Sequence, residues 1–363
     1  MIGWVEHSDY YKWKNRMENP RVPREFLERV KILIVGGGSI GKRHLGNLLG
    51  LGASNVAVVE PREDRRAELR ERFGEVVLYA SEDEAYANGK FDGVIIANPT
   101  AFHIDSGNKA VAHGAHILME KAISDRLEGV ADFLRAADAA KRFVFVGYTY
   151  RFSDSLKKIE ELLKAGAIGK IFAAEITFSE WLPGWHPWEK PGAWYMGNKN
   201  LGGGELLDEN HTIDFARWLF GEVKEVMAFV GRVGEVTVDT DDLSKLICLH
   251  QNGIVSSIHL DALGRRPRKE MWVTGEKGSI FWDSYMSANR IDVYYAEPKR
   301  TETYPSEMNR NDMFVEEIWH FLELLCRGGK PVIDGADALK TLEASFAAME
   351  SWRDGKRVSL KAD

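Results

Sequence analysis

The chain has 363 residues, 44% of them hydrophobic and 28% charged, with 48 basic against 55 acidic side chains and a formal net charge of −7. That length exceeds one ordinary core and suits two domains of roughly 100–200 residues, and the mixed composition excludes a disordered or fibrous chain. The sequence holds no basic run or aromatic-plus-arginine stripe suited to a phosphate backbone, and its apolar stretches fall far short of the roughly 20 residues of a membrane helix, so nucleic acid and membrane are excluded as expected partners.

Residues 1–29 are polar and aromatic, with Glu6, His7 and Asp9 where a secretory signal would be basic and then apolar. They read as an N-terminal extension that packs on the surface or on a neighbouring subunit, and the cytosol is the expected location. From Val30 to Gly147, short β-branched runs alternate with helical stretches. The order is strand Lys31–Val35, helix Ile40–Leu51, strand Val56–Val59, helix Arg62–Phe73, strand Gly93–Ala97, helix His103–His113, strand His116–Met119, helix Leu127–Lys141 and strand Phe143–Val146. Strands apolar on both faces and interleaved with helices predict a doubly wound parallel sheet of Rossmann type, the dinucleotide-binding domain over 30–147.

After Tyr148 the rhythm changes. A helix over Asp154–Ala165 precedes strands at Ile171–Phe178, Val223–Val230, Leu243–His250, Ile254–Ala262, Lys269–Thr274, Ser279–Trp282 and Ile291–Tyr294, with turn signals such as Gln251-Asn252-Gly253 between them. Helices over Phe314–Cys326 and Gly335–Arg353 close the chain. Residues 148–363 are therefore expected to form an α+β domain with a large, mostly antiparallel open sheet. The two cysteines, Cys248 and Cys326, read as buried free thiols.

Gly36-Gly37-Gly38-Ser39-Ile40-Gly41 leaves the first strand and opens a helix, which gives Gly-x-Gly-x-x-Gly its required context. Gly36 permits the tight turn, Gly38 lets backbone approach a pyrophosphate, and Gly41 lets the helix pack close to the strand; the phosphates would rest on the helix N-terminus with Ser39 and Ile40. Glu60 ends the second strand about 20 residues on, where an acid accepts from the adenosine ribose hydroxyls, which favours NAD. The alternative is that Glu60 only solvates a strand end. Arg62, two residues further, is placed to pair with a ribose phosphate, so NADP stays open.

Two further segments carry a resemblance. Ala97-Asn98-Pro99-Thr100-Ala101-Phe102-His103 with Gly114–Ala122, and Gly202-Gly203-Gly204-Glu205-Leu206-Leu207-Asp208-Glu209-Asn210-His211 running on to Leu219, together resemble the glucose-fructose oxidoreductase, inositol dehydrogenase and rhizopine (Gfo/Idh/MocA) family from Val30 onward. The resemblance implies an NAD(P)-dependent oxidoreductase acting on CH–OH groups of a sugar, inositol or nucleotide sugar. It implies cofactor contacts from Asn98, Pro99, Thr100, His103, Glu120 and Lys121, with Lys121 also reaching the substrate hydroxyl. Asp208 and His211 match the acid and the proton-accepting histidine beside the reacting carbon. Two departures stand out: Ala122 replaces the usual proline after the lysine, and Asp208-x-x-His211 is one residue shorter than the commoner spacing, which would need an acid at Leu207.

The chemistry independently asks for such a set. A hydride leaves a carbinol carbon as its hydroxyl proton is taken, so a base of near-neutral pKa is wanted, and histidine meets that need. A lysine steadies the developing oxygen charge, and three residues of helix would put Asp208 and His211 on one face. Asp214 and Arg217 read as a structural helix-internal ion pair. Trp185, His186 and Trp188, in an aromatic loop ahead of Trp194 and Tyr195, suit a carbohydrate wall or a packed subunit contact, and Tyr148 and Arg151 lie where they could also reach substrate. Without a cysteine-containing ligand set, no metal is expected at His186, Asp208 and His211. Competing readings are a redox-neutral enzyme with tightly held NAD and a non-catalytic NAD-binding regulator. The resemblance implies that residues 148–363 bind substrate and that the open sheet face pairs subunits into a homodimer or homotetramer, closed symmetry being the general expectation.

Overall fold

Ile32, Leu33 and Ile34 have no exposed surface on either face of their strand, and the same holds for Val94, Ile95 and Ile96, so the first sheet has to be covered on both sides. The computed structural model describes residues 21–184, 195–237, 239–285, 289–306 and 308–361. The chain divides into two compact units. Unit 1 ends its first segment at Gly147 and takes in Phe314–Ala338; unit 2 is Tyr148–Met313 with the chain from Leu339 onward. No helix among the described residues is long and apolar enough to cross a membrane.

In unit 1, helix α1 (Arg24–Arg29) leads into β1 (Lys31–Val35), α2 (Ser39–Gly50), β2 (Asn55–Val59), α3 (Glu63–Phe73), β3 (Val77–Tyr79), α4 (Glu82–Asn88), β4 (Gly93–Ile96), α5 (His103–Ala112), β5 (His116–Glu120), α6 (Val130–Ala139) and β6 (Val144–Gly147). The sheet order is β3-β2-β1-β4-β5-β6, parallel throughout, the doubly wound order whose crossing point lies outside the carboxyl ends of β1 and β4. Within the predicted extension, Val22 and Leu27 are buried, so its described end is part of the fold. The three-residue edge strand β3 and helix α4 are additions to the sequence reading, too short and too polar for periodicity to mark.

Phe314–Ala338, expected in the second domain, belongs to unit 1 instead. The reason is packing on β4 and β6. A Cβ at Gly93 would stand 2.7 Å from the Phe321 ring, Phe145 meets His320 edge-on at 5.2 Å, and Val146 N–H donates to Ile333 O at 3.1 Å beside a bridge between Phe145 and Asp334.

Unit 2 carries α7 (Asp154–Lys164), β7 (Ile171–Trp181), α8 (Glu205–Asp208), α9 (His211–Phe220), β8 (Val223–Gly231), β9 (Leu243–His250), β10 (Val255–Asp261), β11 (Leu263–Gly275), β12 (Gly278–Asp283), β13 (Arg290–Tyr295), β14 (Arg300–Pro305), and, after α10 (Arg310–Arg327), most of α11 (Gly335–Asp354) and β15 (Val358–Ser359). Its sheet runs β14-β13-β12-β11-β7-β10-β9-β8-β15, antiparallel except for the β7–β10 pair. β14 is another addition, an edge strand of alternating polar residues. One face buries Ile176, Phe178, Leu246, Ile258, Met271, Val273 and Trp282 against Leu156, Ile159, Ile213 and Phe215. Strand β7 extends to Trp181, past its expected end at Phe178, and so delivers Glu180 to the buried side.

Candidate functional site

The glycine-rich turn of unit 1 is constrained by its own backbone. Gly36 has φ +108°, and a Cβ there would lie 2.6 Å from Ala97 O; a Cβ at Gly41 would lie 1.9 Å from Gly36 O. Only glycine permits these approaches. Gly38 differs: a Cβ there would meet only the end of the flexible Arg65 side chain, at 3.9 Å, and no backbone. The start of α2 at Ser39 and Ile40 has no side-chain cap, which leaves its first-turn N–H groups to another acceptor.

Glu60 is 4% exposed, and its carboxylate accepts from Gly37 N–H at 3.0 Å and from Arg62 N–H at 2.9 Å. It therefore ties the glycine turn to the end of β2, and the alternative of a solvated strand end does not hold. Arg62 pairs through its guanidinium with Asp64 on the surface.

At the ends of β4 and β5, Asn98 donates to Ser106 Oγ at 2.9 Å, and Pro99 precedes a short turn that buries Thr100. His103 is buried, with ring nitrogens 2.8 Å from Ala122 O and 3.0 Å from Asn98 O. Both nitrogens face backbone carbonyls, and the neutral ring can donate to one of them. Burial pushes the His103 pKa below the ordinary histidine value. Glu120, also buried, receives His44 Nε2 at 2.7 Å; Lys121 follows half-buried, and the Lys121–Ala122 peptide is cis.

In unit 2, Gly204 with φ +130° turns the chain into α8, and Asp241 receives Leu206 N–H at 2.8 Å. Asp208 ends this short helix and His211 begins α9, so the single continuous helix expected to align them is interrupted at Glu209 and Asn210. Tyr195 donates its hydroxyl to Asp208. The acid found against the imidazole is Glu209, whose Oε2 lies 2.9 Å from His211 Nε2. The His211 ring stacks on Tyr150 at 4.6 Å and meets Phe178 edge-on at 5.2 Å. Nearby, buried Lys269 pairs with Glu180 at 3.3 Å and sits 5.3 Å over the Phe178 ring. Burial on its own would push the Lys269 pKa down, but the charges of Tyr150, Glu180 and Glu209 hold it above the ordinary lysine value.

The cluster is strongly acidic. Burial first, then the charges of Glu209, Asp208, Asp241 and Asp261, push the Glu205 carboxyl well above the usual range, and burial raises Asp241 to about 6. Tyr150, Glu180, Glu205, Glu209 and Lys269 were all missed in the sequence. The sole signal was Glu205 and Glu209 lying within the glycine-rich motif itself.

Other expected residues are placed differently. Tyr148 is fully buried. Arg151 forks onto Asp214 at 2.8 and 2.9 Å, and its guanidinium lies 5.0 Å over Trp218. Arg217 forks onto Glu222 at 2.8 and 2.9 Å and reaches Thr341. Each member of the expected Asp214–Arg217 pair thus takes a partner elsewhere in unit 2. Trp185, His186, Trp188 and Trp194 lie outside the described residues; next to them, Trp181 packs under Arg265 and Met196 is buried with Leu182, Val236 and Ala262.

Residues 30–148 match the model of an oxidoreductase family with an NAD-binding Rossmann fold, and residues 156–281 match the GFO/IDH/MocA C-terminal domain. The chain belongs to the GFO/IDH/MocA oxidoreductases. Myo-inositol 2-dehydrogenase of Thermotoga maritima is 27% identical over 92% of this chain and 99% of its own length. Scyllo-inositol 2-dehydrogenase (NAD(+)) of Bacillus subtilis is 27% identical over 92% of this chain and 96% of its own. Among solved structures, levoglucosan dehydrogenase in complex with NADH and levoglucosan superposes with a TM-score of 0.81 at 21% identity, covering 92% of this chain and all of that one. A GFO/IDH/MocA protein with this glycine turn is an NAD-binding oxidoreductase.

Proposed function

We propose that this protein is a dehydrogenase or reductase that uses NAD to interconvert a hydroxyl and a carbonyl on a sugar or cyclitol. The observation that carries the reading is a glycine turn uncrowded by backbone at Gly38, beside an uncapped helix start and the buried acid Glu60: these suit a dinucleotide pyrophosphate and an adenosine ribose. Gly36, Gly38, Ser39, Ile40 and Gly41 hold the pyrophosphate, Glu60 the ribose hydroxyls, and Asn98, Pro99 and Thr100 line the nicotinamide half. With Arg62 engaged by Asp64, NAD is preferred over NADP. Bound there, NAD supplies the hydride acceptor for a carbinol, and its reduced form supplies the donor for a ketone.

The side chains handle the proton. His211, with Glu209 on Nε2 and Tyr150 against its face, takes the hydroxyl proton, and the carboxylate favours the imidazolium that results. Lys121 stabilises the developing alkoxide oxygen. Asp208, oriented by Tyr195, accepts from a neighbouring substrate hydroxyl, and the surrounding carboxyl groups suit a ligand dense in hydroxyl donors. The named activities of the inositol dehydrogenases support this class.

The test is absorbance of reduced nicotinamide during incubation with NAD or NADP and a panel of inositols, aldoses, sugar acids and nucleotide sugars. Turnover with NAD and one polyol class is the expected result. Silence across the panel from protein that still binds NAD would favour redox-neutral chemistry or a binding role.

The outer face of the unit 2 sheet supports self-association. Met227, Ile247 and Trp272 are each about half exposed and fall in one register row, in which Trp272 pairs with Phe281. We infer that this row packs against a second copy in a homodimer or homotetramer. Sedimentation should give a multiple of 41.0 kDa, reduced to one chain by Trp272→Glu with Ile247→Asp; a wild-type monomer at micromolar concentration would contradict the assignment.

A further inference from the structure

Opposite Glu180, strand β11 breaks its register with β7. Leu263 pairs with Trp181 and Arg268 with Ser179, so the segment Gly264-Arg265-Arg266-Pro267 bulges across from a single residue. Gly264 lets the bulge pass β7, since a Cβ there would lie 2.0 Å from Ser179 Oγ, and Pro267 has no N–H to withdraw from the ladder. Bulges of this kind re-aim side chains. Here Arg265 is laid over Trp181, its guanidinium carbon 3.3 Å from the ring centroid, and Arg265 and Arg266 are both exposed. Neither forms an ion pair among the described residues, whereas the next two basic side chains of the strand do, Arg268 with Glu270 and Lys269 with Glu180.

Two sets of contacts tie the bulge to the His211 cluster of the same unit. Glu180, the residue it spans, pairs with buried Lys269 beside Phe178, and Phe178 meets the His211 ring. Trp181, under Arg265, packs with Tyr195 on one buried apolar group, and Tyr195 donates to Asp208. The two places carry opposite charge. The buried carboxyl groups of Glu205, Asp208 and Glu209 suit hydroxyl donors and repel an anion, while the bulge presents two arginines with no carboxylate partner. Stacking on the indole occupies the face of the Arg265 guanidinium and leaves the N–H donors at its edge for a ligand. That planar fork grips a carboxylate or phosphate through two parallel hydrogen bonds.

We propose that this bulge is an oxyanion subsite of the substrate site: Arg265 and Arg266 bind a carboxylate or phosphate carried by the sugar or cyclitol, while the hydroxyl-bearing ring occupies the acidic cluster at His211. The substrate is then an anionic sugar derivative rather than a neutral polyol. Separating the charges lets one ligand meet carboxyl groups along its hydroxyls and arginines at its anionic end. The inference rests on the reading of the His211 cluster as a sugar site and adds the charge of the ligand to it.

The experiment is calorimetric titration of full-length, NADH-loaded protein with D-glucose, D-glucuronate, D-glucose 1-phosphate and UDP-glucose. At least one anionic probe should bind about tenfold or more tighter than glucose. Which one does so separates the sources: glucuronate reports a carboxylate, glucose 1-phosphate a phosphate monoester, and UDP-glucose alone a diphosphate. Arg265→Gln with Arg266→Gln should weaken that probe about tenfold or more while NADH affinity holds, and Arg265→Lys with Arg266→Lys, which keeps both charges, should lose less. A role in packing alone would weaken NADH and the anions together, or neither. Either result overturns the proposal, as does the failure of every anionic probe to bind more tightly than glucose. If the double glutamine variant does not fold, Arg266→Gln decides by the same titration: weaker binding of the anionic probe supports the subsite, and unchanged binding overturns it. A bound anion that forms no reduced nicotinamide when NAD replaces NADH would tell against the dehydrogenase reading and leave the subsite standing. Turnover of a neutral inositol with a KM indifferent to the double variant would keep that reading and sink the subsite.

Discussion

The glycine turn of unit 1 and the histidine cluster of unit 2 are built from opposite materials. In the turn, backbone does the work: positive φ at Gly36, a helix start pressed onto Gly36 O by Gly41, and one carboxylate, Glu60, fastening the loop. In the cluster, side chains do it instead: Tyr150 and Phe178 pack on the His211 ring, Glu209 stands at its Nε2, and the buried Lys269–Glu180 pair lies beside Phe178. A backbone-built site tolerates almost no added volume but carries little stored electrostatic cost. A side-chain-built site accepts shape changes more readily and is sensitive to any change in charge.

The largest expected effect separates the two regions by function. His211→Ala should lower kcat by about 10²–10⁴-fold with NAD affinity nearly unchanged, whereas Gly36→Ala should cost cofactor affinity first, because its Cβ would push into Ala97 O and displace the turn. Steady-state kinetics beside a calorimetric NAD titration checks this; a His211→Ala variant that lost NAD binding, or a Gly36→Ala variant that kept it, would break the contrast.

A smaller effect probes the charge sensitivity of the cluster. With its pKa raised from 3.8 to about 6 in the folded state, Asp241 keeps a proton there that the unfolded chain has already released. Its contribution to stability is present at low pH and is lost as pH climbs from about 4 through about 6. Asp241→Asn should consequently gain on the wild type across that window, by at most about 3 kcal/mol. Thermal midpoints of both proteins from pH 4 to 7 read the difference, and a gap that stays flat or narrows with rising pH would refute the assignment.

What could be read from the sequence tracks how local each feature is. Gly36, Gly38, Gly41 and Glu60 sit on one strand–turn–helix–strand unit, so spacing alone placed them in the correct elements. His211 and Asp208 were found in the glycine-rich motif, but the acid facing His211 is Glu209, because the chain breaks its helix at Glu209 and Asn210 and turns the next carboxyl inward. Lys269 and Glu180 meet across β11 and β7, and Arg151 finds Asp214 63 residues away; no periodicity encodes such pairs. Polar edge strands β3 and β14 also escaped, since alternation marks a strand only where one face is buried.

By itself the sequence determined the two sheet types, the glycine turn and the family, because these follow from short-range patterns of apolar, glycine and charged residues. Only the tertiary structure decided the rest: that Phe314–Ala338 returns to unit 1, that Arg151 and Arg217 serve separate carboxylates, and that His44, Glu120 and Glu317 share one buried space. Those outcomes depend on which distant groups are desolvated together, and burial is a property of the packed chain rather than of any segment of it.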